Sequence, residues 1–303
     1  MRLNVFLNAK LNYGIEAIAA DKELARNIQE VLILLRFLDP PADGLFGPIS
    51  AAALKEFQEV MQCKEQGYLG PETAEKLIET SPQELPQPEL KLGKDLVSSI
   101  MKYMMKKGYR IATGTGKYNI IYIEGINGDG DLNDDRPNEF NDRRLLIQVL
   151  NQKPSIIGNW DGTTEPGYYY TDNPMNPKGA ARIAFGQYKA WQVGTHYGGG
   201  AEPHEALVQT APITVYRDAN RDMVRTGDKL DTGLFDINQH WGYDYPRNNI
   251  SFAGAGCLVG RTRAGHREFM KLVKQDTRYQ LNRNYTFLTT VIPGDELVKQ
   301  FPF

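Results

Sequence analysis

Gly233-Leu234-Phe235-Asp236-Ile237-Asn238-Gln239-His240 and, seventeen residues after that histidine, the cysteine of Ala253-Gly254-Ala255-Gly256-Cys257-Leu258-Val259-Gly260-Arg261 decide how this chain is read. The first stretch has the make-up of a strand, and the second gathers small residues around a thiol. A thiol attacks a carbonyl well only as thiolate. It therefore needs a base to take its proton and a backbone open enough to bring N–H groups to a developing oxyanion. Cys257, His240 and Gly256 are such a set. A buried cysteine in a tight turn beside an unrelated histidine is the other reading of the same residues.

Working outward, the surroundings read as mostly β. Runs 118–123, 168–171, 206–209, 213–216 and 287–292 are short, β-branched or aromatic, and bounded by Gly, Pro, Asn and Asp; Arg182 to Tyr188 reads as a further strand. Leu96, Ile100, Tyr103 and Met104 predict a helix before them, and Phe269, Leu272 and Val273 one after the cysteine turn. Residues 81–93 hold Pro82, Pro86 and Pro88 and read as a semi-rigid linker. Upstream, Leu24, Ile28, Val31, Leu32 and Leu35 mark one amphipathic helix and Ala53, Phe57, Val60 and Met61 a second; Ala74, Leu77 and Ile78 mark a shorter third. Gly44-Leu45-Phe46-Gly47-Pro48 and Gly67-Tyr68-Leu69-Gly70-Pro71 are near-copies, each ending in a proline where a helix begins. The predicted fold is α+β: a three-helix bundle in 1–80, the linker 81–93, and a β-rich domain with a leading helix in 94–303.

With 41% hydrophobic residues in 303 the chain can fill real cores. A net charge of −2 without long runs of like charge argues against nucleic acid and anionic membrane surfaces as partners. Cys63 and Cys257 fall in different predicted domains, so both are expected as free thiols. Met1 to Lys10 lacks the pattern of a secretory signal, and no stretch is apolar enough for a membrane span. The expectation is synthesis in the cytoplasm and delivery by a route that needs no signal peptide.

Residues 21–80 resemble the peptidoglycan-binding type 1 domain. The matching residues are Gln29, Leu32 and Leu35, then Asp43 to Gly47, Ala53, Phe57-Gln58, and Gly67 to Gly70 with Thr73-Ala74 and Leu77. The C-terminal domain resembles a divergent L,D-transpeptidase of the YkuD type, in particular its phage- and particle-associated members. The residues that carry this are 233–240 and Gly254-Ala255-Gly256-Cys257. That resemblance implies Cys257 as nucleophile, His240 as its base and Gly256 as the glycine of the motif. The substrate it implies is a peptidoglycan stem peptide, and the partners are the wall and a phage-like or injection particle. The chain departs from the pattern: Ala255 replaces a histidine, Gly254 a Ser or Thr, and Val259 an arginine for which Arg261 is the nearest substitute. Hydrolysis and transpeptidation both stay open, and a catalytically silent wall anchor is the rival from another class.

His196 and His204 flank the glycine-rich stretch 198–200 and are read, with Asn238 and Arg261, as substrate-binding groups on a loop beside the thiol. His196, His204 and His240 together offer three zinc ligands, a second chemistry for the same bond, although no HExxH spacing occurs. His266 reads as a surface residue or one lying behind the site. No cofactor is expected, with calcium at Asp218, Asn220 and Asp222 as the alternative to an Asx turn. The acidic run 127–135 has the same two readings. Asp161 to Gly167 is expected to bring polar side chains to the cleft.

Overall fold

The structure is a computed structural model that describes residues 1–197 and 202–303; the predicted loop residues 198–200 lie outside it. The chain divides into two units, Met1–Pro88 and Glu89–Phe303. The division falls inside the stretch read as linker, whose two ends belong to different cores. Leu85 packs on the apolar cluster of the first unit, whereas Leu90 and Leu92 pack on one in the second.

The first unit contains α1 (Asn4–Ala9), β1 (Tyr13–Gly14), α2 (Ile15–Ala20), α3 (Lys22–Leu34), α4 (Pro48–Val60), β2 (Tyr68–Leu69) and α5 (Pro71–Glu79). The three predicted helices are α3, α4 and α5, and the bundle is larger than predicted. Phe6 of α1 and Ile18 of α2 are fully buried in its core, and β1 pairs antiparallel with β2. Ile78, read as core, is exposed. α3 starts where the Asp21 side chain accepts from Leu24 N, and α4 and α5 start at prolines.

The two near-copy turns are held alike. Gln29 of α3 accepts from Gly44 N at 2.8 Å and donates to Ser50 Oγ at 3.0 Å and Leu45 O at 3.1 Å. Gln58 of α4 accepts from Gly67 N at 2.9 Å and donates to Thr73 Oγ1 at 3.1 Å and Tyr68 O at 2.7 Å. Each glutamine satisfies a glycine turn and ties it to the first turn of the next helix, so the repeat resides in polar side chains as much as in the apolar stripe.

The second unit begins with α6 (Leu96–Lys106), followed by β3 (Tyr118–Glu124), β4 (Asp142–Leu150), β5 (Lys153–Thr163), α7 (Tyr168–Asp172), β6 (Ala180–Ile183), β7 (Gly186–His196), β8 (His204–Gln209), β9 (Ile213–Asp218) and β10 (Lys229–Gly233). It ends with β11 (Gln239–Trp241), β12 (Leu258–Gly260), α8 (Arg263–Val273), α9 (Thr277–Leu281), β13 (Phe287–Pro293) and α10 (Gly294–Gln300). Eight strands close a barrel in the order β11-β12-β5-β4-β3-β13-β7-β8, and β10-β9-β6 form a separate sheet. β3 explains why its sequence is apolar without alternation. Ile120 and Tyr122 enter one cluster with α8 residues Phe269 and Val273, while Ile121 and Ile123 enter another with α6 residues Ile100 and Met104.

Three predictions are corrected. Tyr168 to Thr171 forms α7, not a strand: the run is too short to alternate, and Gly167 O accepts from Tyr170 N and Thr171 N to start a helical turn. Arg182 to Tyr188 is split between β6 and β7, which belong to different sheets. The strand approaching His240 is confined to β11; residues 234–238 are irregular because the Gln209 side chain takes the N–H groups of Phe235 and Ile237 that a ladder would use.

Candidate active site

β11 and β12 run parallel, with His240 opposite Val259 and Gln239 opposite Leu258, so the long loop between them returns the cysteine turn beside the histidine strand. Gly256 has φ +114°, and a Cβ there would stand 2.3 Å from Ala181 O. Only glycine fits so close to β6 in that left-handed conformation. Cys257 follows it, 8% exposed, packed with Phe140, Ile250, Ala253 and Val259.

The thiol donates to Asp236 O at 3.6 Å. Burial pushes its pKa up to about 11, with the Asn238 backbone acting in the opposite direction. Among the described residues no hydrogen bond joins it to His240. That ring shares its Nδ1 with Trp241 O at 2.7 Å and lies flat on His196, centroids 3.9 Å apart and planes 5° apart.

All four histidines of the chain converge here. His204 is stacked on Trp241 at 3.7 Å, and its ring centre is 5.3 Å from His196, 5.9 Å from His240 and 5.8 Å from His266. Burial lowers the pKa of each, that of His196 to about 4 with help from His204 and that of His240 well below its usual range with help from His196. The cluster is therefore neutral at pH 7, and the neighbours assign its tautomers. His240 and His204 carry their proton on Nδ1, donating to Trp241 O and Glu202 O. His196 and His266 accept on Nδ1 from the Asn238 amide and the Arg144 guanidinium. His240 thus keeps a lone pair on Nε2, the form a general base requires.

Zinc ligands must aim their lone pairs at one point. The flat stack of His196 on His240 does not do this, and among the described residues no group of three or more His, Cys, Asp or Glu is arranged to hold a metal. In the turn at Asp218, its carboxylate accepts from Asp222 N and Met223 N, and Asp222 accepts from Val224 N in an Asx turn.

The remaining predicted residues are largely engaged. His204 is buried rather than on an open loop. The side chain of Asn238 holds Gln209 N at 2.8 Å and His196 Nδ1 at 3.1 Å. Arg261 is paired with Asp161 at 3.2 Å. His266, read as a surface residue or one behind the site, is 1% exposed and joins Arg144 to Glu205 O. Arg144 itself is unpredicted. Fully buried on β4, it donates to Tyr122 Oη, His240 O at 3.0 Å, Leu258 O at 3.2 Å and His266 Nδ1, clamping β11 to β12 directly behind the candidate pair. Two arginines opening directly onto an apolar run, Arg143-Arg144-Leu145-Leu146-Ile147, were the available signal.

Residues 21–77 match a protein-family model described as a putative peptidoglycan binding domain. No curated protein matches the sequence. Among solved structures, one similar chain is a fused Zn-dependent amidase/peptidase/peptidoglycan-binding domain-containing protein from Clostridium acetobutylicum. It is 11% identical with a TM-score of 0.30, over 93% of this chain and 99% of that one. Another is an L,D-transpeptidase from Xylanimonas cellulosilytica, 13% identical with a TM-score of 0.22, over 88% and 92%.

Beside the cysteine turn lies a buried charged network. Thr163 pairs with Val259, and the chain continues into Thr164 and Glu165. Glu165 pairs with Arg182 and Glu124 with Arg225, all four shielded from solvent. Thr164 Oγ1 lies 2.6 Å from Glu124 and 2.9 Å from Asp142. One hydroxyl proton serves one carboxylate, so the second contact needs a proton on the other carboxyl. Burial and the neighbouring Glu124 raise the pKa of Asp142 well above the usual range, which assigns that proton to Asp142. Burial also raises Glu165 to about 7.

Proposed function

We propose that the protein acts on bacterial peptidoglycan, the first unit docking on the wall and the second transferring a stem-peptide acyl group through Cys257. The observation that carries the reading is the family match over residues 21–77, and a left-handed glycine before the thiol, in a turn leading into the strand paired with that of His240, whose Nε2 keeps its lone pair, supports the chemistry. In the reaction His240 Nε2 takes the thiol proton and the sulfur adds to an amide carbonyl. The leaving amine takes that proton back, and water or a second amine cleaves the thioester.

The resting arrangement is not the reactive one. With burial raising the thiol to about 11 and lowering the imidazole well below its usual range, that proton transfer is uphill in the resting arrangement. Turnover requires the sulfur to leave Asp236 O and turn to His240. The same capped thiol favours a second reading, a catalytically silent wall-anchoring component of a phage-like particle.

Incubation with muropeptides and mass spectrometry of the products separates the two. Turnover abolished by Cys257→Ala, kept in Cys63→Ala and resistant to EDTA is the expected result. Products that persist in Cys257→Ala exclude the thiol route.

A further inference from the structure

Two groups of one short segment act on the sulfur of Cys257. Its S–H donates to Asp236 O at 3.6 Å, and the Asn238 backbone favours its ionised form. An acceptor keeps a thiol protonated and a donor stabilises the thiolate, so the placing of these two groups sets how readily the proton leaves. Neither group belongs to a regular strand, since residues 234–238 are irregular.

The two are fixed by different means. Asn238 is tied by backbone donors: its carbonyl accepts from Leu258 N at 3.0 Å and its side-chain oxygen from Gln209 N at 2.8 Å. Asp236 is held through its neighbours. The side chain of Gln209, at the end of β8, accepts from Phe235 N and Ile237 N, both at 3.0 Å, and donates to Gly233 O and Ala211 O, both at 2.9 Å. All four hydrogen-bonding positions of the amide are thereby used. Asp236, between the two captured N–H groups, has φ +58°, a left-handed conformation that a residue other than glycine keeps where its surroundings over-determine it.

We infer that Gln209 is a positioning residue for Cys257, its side chain holding the Asp236 carbonyl on the thiol and so keeping the sulfur capped at rest. The inference rests on the reading of Cys257 as nucleophile and names what controls the release that turnover requires. The titratable groups facing the sulfur are the Asp236 carboxylate, which raises the thiol further, and the phenols of Tyr122, Tyr170 and Tyr243. Burial pushes all three phenols up, so they are neutral below about pH 9.

The test is the pH dependence of Cys257 labelling by iodoacetamide, read by mass in the full chain carrying Cys63→Ala. Gln209→Ala gives the two N–H groups to water and drops the hold on Asp236, and it leaves the backbone donors that fix Asn238. Labelling at about pH 7 should quicken about tenfold, the scale of one hydrogen bond, with the rate profile displaced by about one unit toward acid. Gln209→Glu keeps oxygens for both N–H groups and should label within about threefold of the glutamine chain. Trp191→Phe frees Ile237 O, which the indole holds at 2.7 Å, and should leave the profile in place. An unmoved profile in Gln209→Ala overturns the inference. An equal displacement in Gln209→Glu overturns it by assigning the effect to lost packing, and one in Trp191→Phe by assigning it to general loosening of the segment. If Gln209→Ala does not fold, Gln209→Leu carries the same expectation. Labelling is read without turnover: a chain that behaves as expected and leaves muropeptides intact breaks the acyl-transfer reading alone, and turnover with an unmoved profile breaks the Gln209 assignment alone.

Discussion

The two units satisfy their buried polar groups by opposite means. In the first, neutral glutamines reach turns a short way along the chain: Gln29 to Gly44, Gln58 to Gly67. In the second, charged groups meet across the sequence, Glu124 with Arg225 and Arg144 with His240 O and His266. A neutral local brace costs little when weakened and is indifferent to pH. A buried ionic brace is sensitive to both, because a charge left without its partner cannot return to water.

The largest effect is expected where that contrast is sharpest. Arg225→Met removes the ion-pair partner of buried Glu124 beside Asp142, and should cost the second unit about 3–5 kcal/mol in urea unfolding while the first unit's transition stays in place. Loss of both transitions together would break the comparison.

Next is the pH dependence. Glu165 has a folded pKa of about 7 against 4.5 for the free side chain, so the fold holds its proton more tightly and loses stability as pH rises from about 4.5 through 7. The histidines act in the reverse sense. Their lowered pKa values give stability that is present above 6.5 and lost as pH falls, toward about 4 for His196. Comparing wild type with Glu165→Gln cancels the histidines. From pH 5 to 8 the variant should gain about 3 kcal/mol on wild type in the second unit's midpoint. A constant difference would mean that Glu165 is ionised throughout.

The smallest effect belongs to the first unit. Gln58→Ala leaves Gly67 N and Tyr68 O without a partner and should cost about 1–2 kcal/mol, equally at pH 5 and pH 8. A pH-dependent loss would mean that a charged group shares the brace, with Glu65, which accepts from Gly70 N and Thr73 N, as the candidate.

The same contrast explains what could be read from the sequence. Helices α3, α4 and α6 follow from periodicity because a helix declares its buried face within a few residues. β3, β8, β9 and β13 were legible as elements, since β-branched runs are local signals too. Their closure into a barrel was not, because β13 joins β3 by pairings some 170 residues apart, Thr289 with Ile120 among them. At the site, Cys257, Gly256 and His240 announced themselves by residue type. The run Tyr168-Tyr169-Tyr170 read as strand by composition and became a helix through the carbonyl of Gly167. His266 read as a surface residue or one behind the site, and of the two it is the second, held in the interior by Arg144, a partner 122 positions away.

The place of β13 has a consequence for how the protein comes into being. The strand lies between β3 and β7, and its residues are among the last of the chain. On the ribosome the residues of the first unit are all present once Pro88 has emerged. The barrel must wait until Pro293 is made, holding an edge of β3 and later one of β7 without its partner strand. Loop closure over such separations makes folding slow, so this unit of the nascent chain is where chaperones and aggregation compete.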